Sequence, residues 1–182
     1  MEKSRFFTLS LITLFLCLSI MFVSNVQAFE VFSKDFKDGE MLPENSGYGT
    51  GNISPEISWI NVPLGSKSLV LIVSDPDAPN NDFVHWLIYN IPGQVSSIPA
   101  NAPVVFFNDK SIKQGVNDFN DQRYSGPWPP TGSLHRYFFT LFALDIFINA
   151  SQGLKKEQLR KKLKGHVIGE TQIMGTFKRQ DQ

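Results

Sequence analysis

Ser68-Leu69-Val70-Leu71-Ile72-Val73-Ser74-Asp75-Pro76-Asp77-Ala78-Pro79 decides the fold of this chain. The unbroken apolar run from Leu69 to Val73, bounded by turn-forming residues, reads as a short strand buried on both faces. Asp75 closes it, and Pro76 removes the next backbone donor, so the chain has to leave the sheet there. Pro79 stiffens the exit, and Asn80-Asn81-Asp82 supplies turn residues before a second apolar run begins at Val84. Val84 to Ile91 and Arg136 to Asp145 are therefore strands, with weaker ones at Glu30 to Phe36 and Gln172 to Lys178. Lys155 to Lys164 is the one helical pattern, with Leu154, Leu159 and Leu163 as its apolar positions and Gly165 placed to end it. Its polar face (Lys155, Lys156, Arg160, Lys161, Lys162, Lys164) reads as solvated surface, the alternative being a patch for anionic lipid or an acidic partner. Many strands, little helix and no regular strand–helix alternation give a mainly β, two-sheet sandwich.

Residues 1–28 read as an address and 29–182 as one domain. Lys3 and Arg5 form a positive start, an apolar stretch runs from Phe6 to Val23, and Val26-Gln27-Ala28 offers the small residues of a signal-peptidase site. A retained membrane anchor is the alternative, but Ser4, Thr8, Ser10, Thr13 and Ser19 dilute the stretch. The expectation is a periplasmic or secreted protein with no membrane span after cleavage. Of 17 basic and 17 acidic side chains, Lys3, Arg5 and Glu2 fall in that segment, leaving 15 and 16 and a formal charge of −1. No positive excess of a nucleic-acid binder remains. The single cysteine, Cys17, leaves with the signal, so the mature domain has neither disulfide nor thiol chemistry and must be held by its core.

Two segments carry the chemistry. One is Asp75-Pro76-Asp77-Ala78-Pro79 with Val84-His85-Trp86. The other is Gly126-Pro127-Trp128-Pro129-Pro130-Thr131-Gly132-Ser133-Leu134-His135-Arg136-Tyr137. Each sets titratable groups at a strand end beside a proline-stiffened turn. Singly the residues have plainer readings: Asp75 as a turn cap, His85 and His135 as satisfied core histidines. Together Asp75, His85, His135 and Tyr137 read as a small pocket for an anion. Catalysis is not expected. The histidines lack short metal-ligand spacing, and Ser133 in Gly-Ser-Leu-His is not a nucleophile elbow, so no catalytic residue, metal or cofactor is assigned. A long, aromatic-dotted segment from Asn101 to Tyr124 reads either as a partner-contact surface or as an excursion packed on the sandwich.

Asn52-Ile53-Ser54-Pro55-Glu56-Ile57-Ser58-Trp59, Asp75-Pro76-Asp77-Ala78-Pro79, His85-Trp86 and Gly132-Ser133-Leu134-His135-Arg136-Tyr137 resemble the phosphatidylethanolamine-binding protein family. Trp86 directly after His85 makes the chain look like the bacterial, Raf-kinase-inhibitor-like branch. The resemblance covers nearly all of the chain after the signal. It implies a β-sandwich of two sheets with a C-terminal helix and an anion pocket at one end. By matching positions that pocket is lined by Asp75, His85, Gly126, Pro127, His135 and Tyr137, with Pro76 and Trp86 packing nearby. It also implies phosphate or phosphoryl head groups, phosphatidylethanolamine among them, as ligands. Some family members are described as kinase or protease inhibitors. An exported protein does not meet cytosolic kinases, so the alternative function is an envelope protein-interaction or inhibitor-like module with an unknown protein partner.

On this reading the ring nitrogens of His85 and His135, the Tyr137 hydroxyl and backbone N–H groups of the Gly126 turn would converge on the phosphoryl oxygens. Asp75 would orient a histidine or receive the amine of an ethanolamine head. Binding is expected to strengthen as pH falls through the histidine range.

Overall fold

The computed structural model describes residues 27–79, 82–103 and 111–180. Most of the expected export signal, together with Cys17, Asn80, Asn81, Phe106 and Phe107, lies outside them. In chain order the elements are β1 (Glu30–Phe32), β2 (Ile57–Ile60), β3 (Ser68–Asp75), β4 (Phe83–Pro92), β5 (Ser97–Ile98), β6 (Lys113–Gln114), β7 (Leu134–Leu144), α1 (Lys156–Leu163) and β8 (Val167–Lys178). Among the described residues they form a 3-stranded sheet, β1-β2-β5, and a 5-stranded sheet, β6-β4-β3-β7-β8, with antiparallel pairing throughout.

β3 is the centre of the larger sheet, as its apolar run requires. Leu69, Leu71 and Val73 face the smaller sheet and meet Val31, Ile57, Trp59, Phe139 and Leu141. Val70 and Ile72 face the other way, into a second core closed by Leu87, Tyr89, Ile148, Leu159 and Leu163. Each such side chain contributes roughly 1.5–3 kcal/mol by leaving water. The molecule is therefore layered as small sheet, large sheet and helix, and only a strand buried on both faces suits the middle. Gly165, at φ +83, ends α1 as expected. Lys156 departs from the expected solvated face. It is buried, and its Nζ donates to the Asp82 carbonyl at 3.0 Å and pairs with the Asp82 carboxylate. β8 begins earlier than the sequence pattern suggests, because pairing with β7 carries its polar first half, from Val167 onward.

Two irregularities shape β4. Asn90, at φ 58, interrupts the ladder where Leu69 pairs with Ile91 and Leu71 with Ile88. Its amide exchanges bonds with the Ile148 backbone at 2.9 and 2.7 Å and so stands in for a strand partner. At the other end Val73 pairs with Trp86 but Ser74 with Val84, which makes His85 the extra residue of a β-bulge. Val84 joins the helix-side core and Trp86 the inter-sheet core. The bulge re-aims the strand at His85.

Candidate functional site

β3 ends at Asp75 where its neighbours β4 and β7 begin, so antiparallel pairing alone gathers Asp75, His85, His135 and Tyr137 at one end of the large sheet. Alternation along β7 puts His135 and Tyr137 on the same face as Phe139 and Leu141, whereas Arg136 and Phe138 take the opposite one. At that end lies a cavity of about 210 Å³ lined by Asp75, Ala78, Pro79, Phe83, His85, Phe119, Trp128, Pro130 and His135.

Asp75 is buried and its carboxylate is fully engaged. Oδ1 accepts the backbone N–H groups of Asp77 at 2.8 Å and Ala78 at 3.1 Å, and Oδ2 accepts His135 Nδ1 at 2.8 Å. The turn-cap and histidine-orienting readings of Asp75 thus hold at once. An ethanolamine amine at Asp75 would have to share oxygens that already serve these donors. Asp77 holds Arg136 in a two-pronged pair, Nε to Oδ2 at 2.9 Å and Nη2 to Oδ1 at 2.6 Å. That pair, outside the pocket, brings the Asp77 carboxyl down to about 2.

His85 Nδ1 lies 2.7 Å from the Ser125 carbonyl oxygen and 3.1 Å from that of Gly126. Carbonyls only accept, so Nδ1 carries the proton and Nε2 keeps a lone pair in the neutral ring. Phe83, Phe119 and Tyr137 enclose that ring, with centroids at 5.2, 5.5 and 5.1 Å. Burial among them pulls the His85 pKa below its ordinary value, against the opposing effect of the Ser125 carbonyl and the Asp75 charge. His85 is a neutral acceptor at neutral pH. Tyr137, expected to line the pocket, packs against the His85 ring instead and is not among the residues lining the cavity. Its hydroxyl is buried with no hydrogen-bond partner, and burial and the nearby Asp75 charge push its pKa well up.

Gly126 and Pro127 do not line the cavity; they form the wall behind His85. The Gly126 N–H donates to Asn52 Oδ1 at 2.7 Å and Pro127 has none, so the expected backbone donors from this turn are not free. Gly126 is required for another reason. A Cβ there would stand 1.9 Å from the Ser46 carbonyl oxygen. Trp86 sits deeper, its Nε1 donating to Gln114 at 2.7 Å and its ring edge-on to Tyr124. Pro76 lies on the outer face of the sheet, in a groove with Arg136 and Phe138.

The aromatic mouth was missed from the sequence. Phe119 stacks on Tyr48 at 5.0 Å, meets Phe83 edge-on, and shares the rim with half-exposed Trp128. Phe119 is held there by Asn117, a buried residue that nothing in the pattern singled out. Asn117 Nδ2 shares its two hydrogens among the carbonyls of His85 and Arg123 and Ser125 Oγ, while Oδ1 accepts from the N–H groups of Phe119 and Asp121. The described end of the Asn101–Tyr124 segment, residues 111–124, is thus partly structural, with Tyr124 buried and bonded to the Ser46 carbonyl. The available signal was an aromatic residue directly after a turn-forming Asn-Asp pair.

Among the described residues no lysine or arginine lines this cavity, and no serine, threonine or cysteine does. Among the described residues there is no group of three or more His, Cys, Asp or Glu side chains placed to hold a metal ion. The arrangement offers two imidazole Nε2 atoms to a small polar group, beneath a collar that suits an apolar or cationic substituent.

Residues 32–178 match the family model described as phosphatidylethanolamine-binding protein. A UPF0098 protein of Aquifex aeolicus is 42% identical over 152 residues, covering 82% of this chain and 88% of that protein. One from Methanothermobacter thermautotrophicus is 40% identical over 144 residues, or 79% of this chain and 95% of that protein. Among solved structures, a phosphatidylethanolamine-binding protein homologue from Chlamydia trachomatis superposes with a TM-score of 0.76 at 35% identity, covering 84% of this chain and 98% of that one. Escherichia coli YbcL, described as a new member of the mammalian family, gives 0.77 at 31% identity, covering 85% of this chain and 100% of that one.

Proposed function

The chain belongs to the phosphatidylethanolamine-binding protein family, and from that premise we propose that it is an exported, non-catalytic binding protein for phosphate and phosphoryl head groups. One observation carries the reading: His85 and His135 both have Nδ1 tied to fixed acceptors, which leaves both Nε2 atoms to one cavity. The carboxylate beside them accepts three hydrogen bonds, which hold it turned onto Asp77, Ala78 and His135. A phosphoryl group with one proton can donate it to neutral His85 Nε2. As pH falls, the bound anion instead favours the imidazolium and gains a charge-assisted donor. Among the described residues that line the cavity there is no serine, threonine, cysteine or lysine, which supports binding without chemistry.

The test is calorimetric titration of the domain from Phe29 with inorganic phosphate and O-phosphoethanolamine across about pH 5–8, the range in which histidine changes charge. Affinity should rise toward pH 5, with proton uptake revealed by repeating the titration in buffers of different ionisation heat. His135→Ala should abolish binding while the domain still melts cooperatively. Flat affinity across that range, or binding that survives His135→Ala, would refute the reading. Export is tested separately, by expressing the full chain and weighing the product. An envelope or secreted species beginning at Phe29 is expected, and a protein retaining residues 1–28 would refute it.

A second reading, modulation of a partner protein, draws on Tyr48 and Trp128, which are 41% and 47% exposed at the pocket mouth. Capture of a specific envelope protein that persists in His135→Ala would favour it.

A further inference from the structure

A second and larger cavity, about 480 Å³, lies on the other side of Trp128 and is lined by Glu44, Thr50, Trp128, Thr131, Phe177, Lys178, Arg179 and Gln180. Trp128 is the residue the two cavities share. Its ring is a fixed partition. Pro127, Pro129 and Pro130 stiffen the backbone around it, and the Gly49 backbone sits so close that a Cβ there would fall 2.3 Å from the ring. The Arg179 guanidinium caps the indole with its carbon 4.2 Å from the ring centroid.

Arg179 is the unusual member. Its Nε and Nη2 both donate to Thr131 Oγ1, at 3.2 and 2.9 Å, and its carbonyl accepts the Gly132 N–H at 3.0 Å. No carboxylate among the described residues pairs with it. A guanidinium stacked and tethered in this way has already lost its side-chain freedom, so an incoming anion bears little further ordering cost. Glu44, across the same cavity, forms no ion pair among the described residues either. One groove therefore presents a positioned guanidinium, a second cation at Lys178 and a carboxylate beside a pocket suited to a phosphoryl group.

We propose that this groove is a second subsite, and that the preferred ligand is a phosphoryl group joined by a short linker to a carbon bearing both an ammonium and a carboxylate. The phosphoryl lies between His85 and His135, the linker crosses the Trp128 edge, the carboxylate meets Arg179 and the ammonium faces Glu44. The proposal rests on the phosphoryl reading of the first pocket. The same chemistry occurs in free O-phospho-L-serine and in the serine phosphodiester of a lipid head group.

Four ligands separate the possibilities in calorimetric titrations of the wild-type domain and of Arg179→Gln. O-phospho-L-serine and glycerophosphoserine carry the carboxylate, whereas O-phosphoethanolamine and glycerophosphoethanolamine lack it. Wild type should bind each serine compound about tenfold more tightly than its ethanolamine counterpart, the scale of one added charge-assisted contact. Whichever serine compound binds better distinguishes a free metabolite from a head group. Arg179→Gln should erase the preference while leaving O-phosphoethanolamine affinity unchanged, which also reports an intact fold. Glu44→Gln should weaken all four compounds, which share the ammonium, and leave the serine preference in place. Equal affinities in wild type, or a preference that survives Arg179→Gln, would overturn the second subsite alone. Failure of all four ligands to bind would overturn the phosphoryl reading, and the subsite with it.

Discussion

Gly126 shows how much of the site is decided by a single atom that is not there. Its carbonyl orients His85, its N–H is taken by Asn52, and its Cα approaches the Ser46 carbonyl too closely for any side chain. Gly126→Ala should cost at least about 3 kcal/mol, the upper part of the overpacking range, because the listening atom is backbone and cannot swing away. Urea unfolding would measure it, and a loss below about 1 kcal/mol would mean that the two segments can part. Asp75→Asn probes the opposite kind of role. The amide can still accept from Asp77 and Ala78 through one oxygen, but it presents an N–H to His135 where a carboxylate oxygen stood. The domain should remain folded and lose at least about tenfold in phosphate affinity, since one charged hydrogen bond is worth that much. Undiminished binding in that variant would show that His135 needs no orienting partner.

Elements divide into those that build the sheet and those that only finish the pocket, and they should fail differently. Leu159, fully buried on α1, closes the helix-side core. Leu159→Ala should cost about 2–5 kcal/mol, the usual range for such a cavity, and leave phosphate affinity within a factor of two where the protein is folded. Asn117→Ala empties the hub of the loop that carries Phe119, leaving buried backbone groups without partners. It should both destabilise, by about 1–3 kcal/mol for an unsatisfied buried group, and weaken binding. The same division explains what the sequence disclosed. β3, β4, β7 and α1 were legible because burial writes a period into them: Leu69 to Val73 for a doubly covered strand, Leu159 and Leu163 for a helix face. Asp75, His85, His135 and Tyr137 were legible because strand ends beside prolines are where polar groups have a purpose. Phe119, Trp128 and Asn117 were not, because a loop has no period and its contacts are all distant in sequence. Gly126 was placed correctly near the site but given the wrong task, since only coordinates show that Asn52 has already claimed its N–H.

At the scale of the whole molecule, acidity should weaken the fold through two identified groups. His85 has a depressed pKa when folded, so below the ordinary histidine value of about 6.5 the unfolded chain takes up a proton that the folded one refuses. Stability contributed by burying the neutral ring is present above that value and lost as pH falls below it. Asp77, at about 2 in the fold against 3.8 in the open chain, adds a term that is present above 3.8 and lost as pH falls through about 2. Solvent reaches that pair, so about 1 kcal/mol is its expected size. Melting temperature should therefore decline from pH 7 to 5, and His85→Gln should show a shallower decline over that interval. An equally steep fall in the variant would assign the effect elsewhere. Saturating phosphate should also flatten it, because a bound anion lets the ring accept its proton. The bulge at His85 carries a consequence for heredity rather than for energy. Substitution anywhere from Phe83 to Trp86 changes one side chain, but loss of a single codon there would restore a regular ladder and turn the start of the strand over. A chain that keeps this pocket needs the same count of residues at the start of β4, so insertions or deletions there should be the rarest of its tolerated changes.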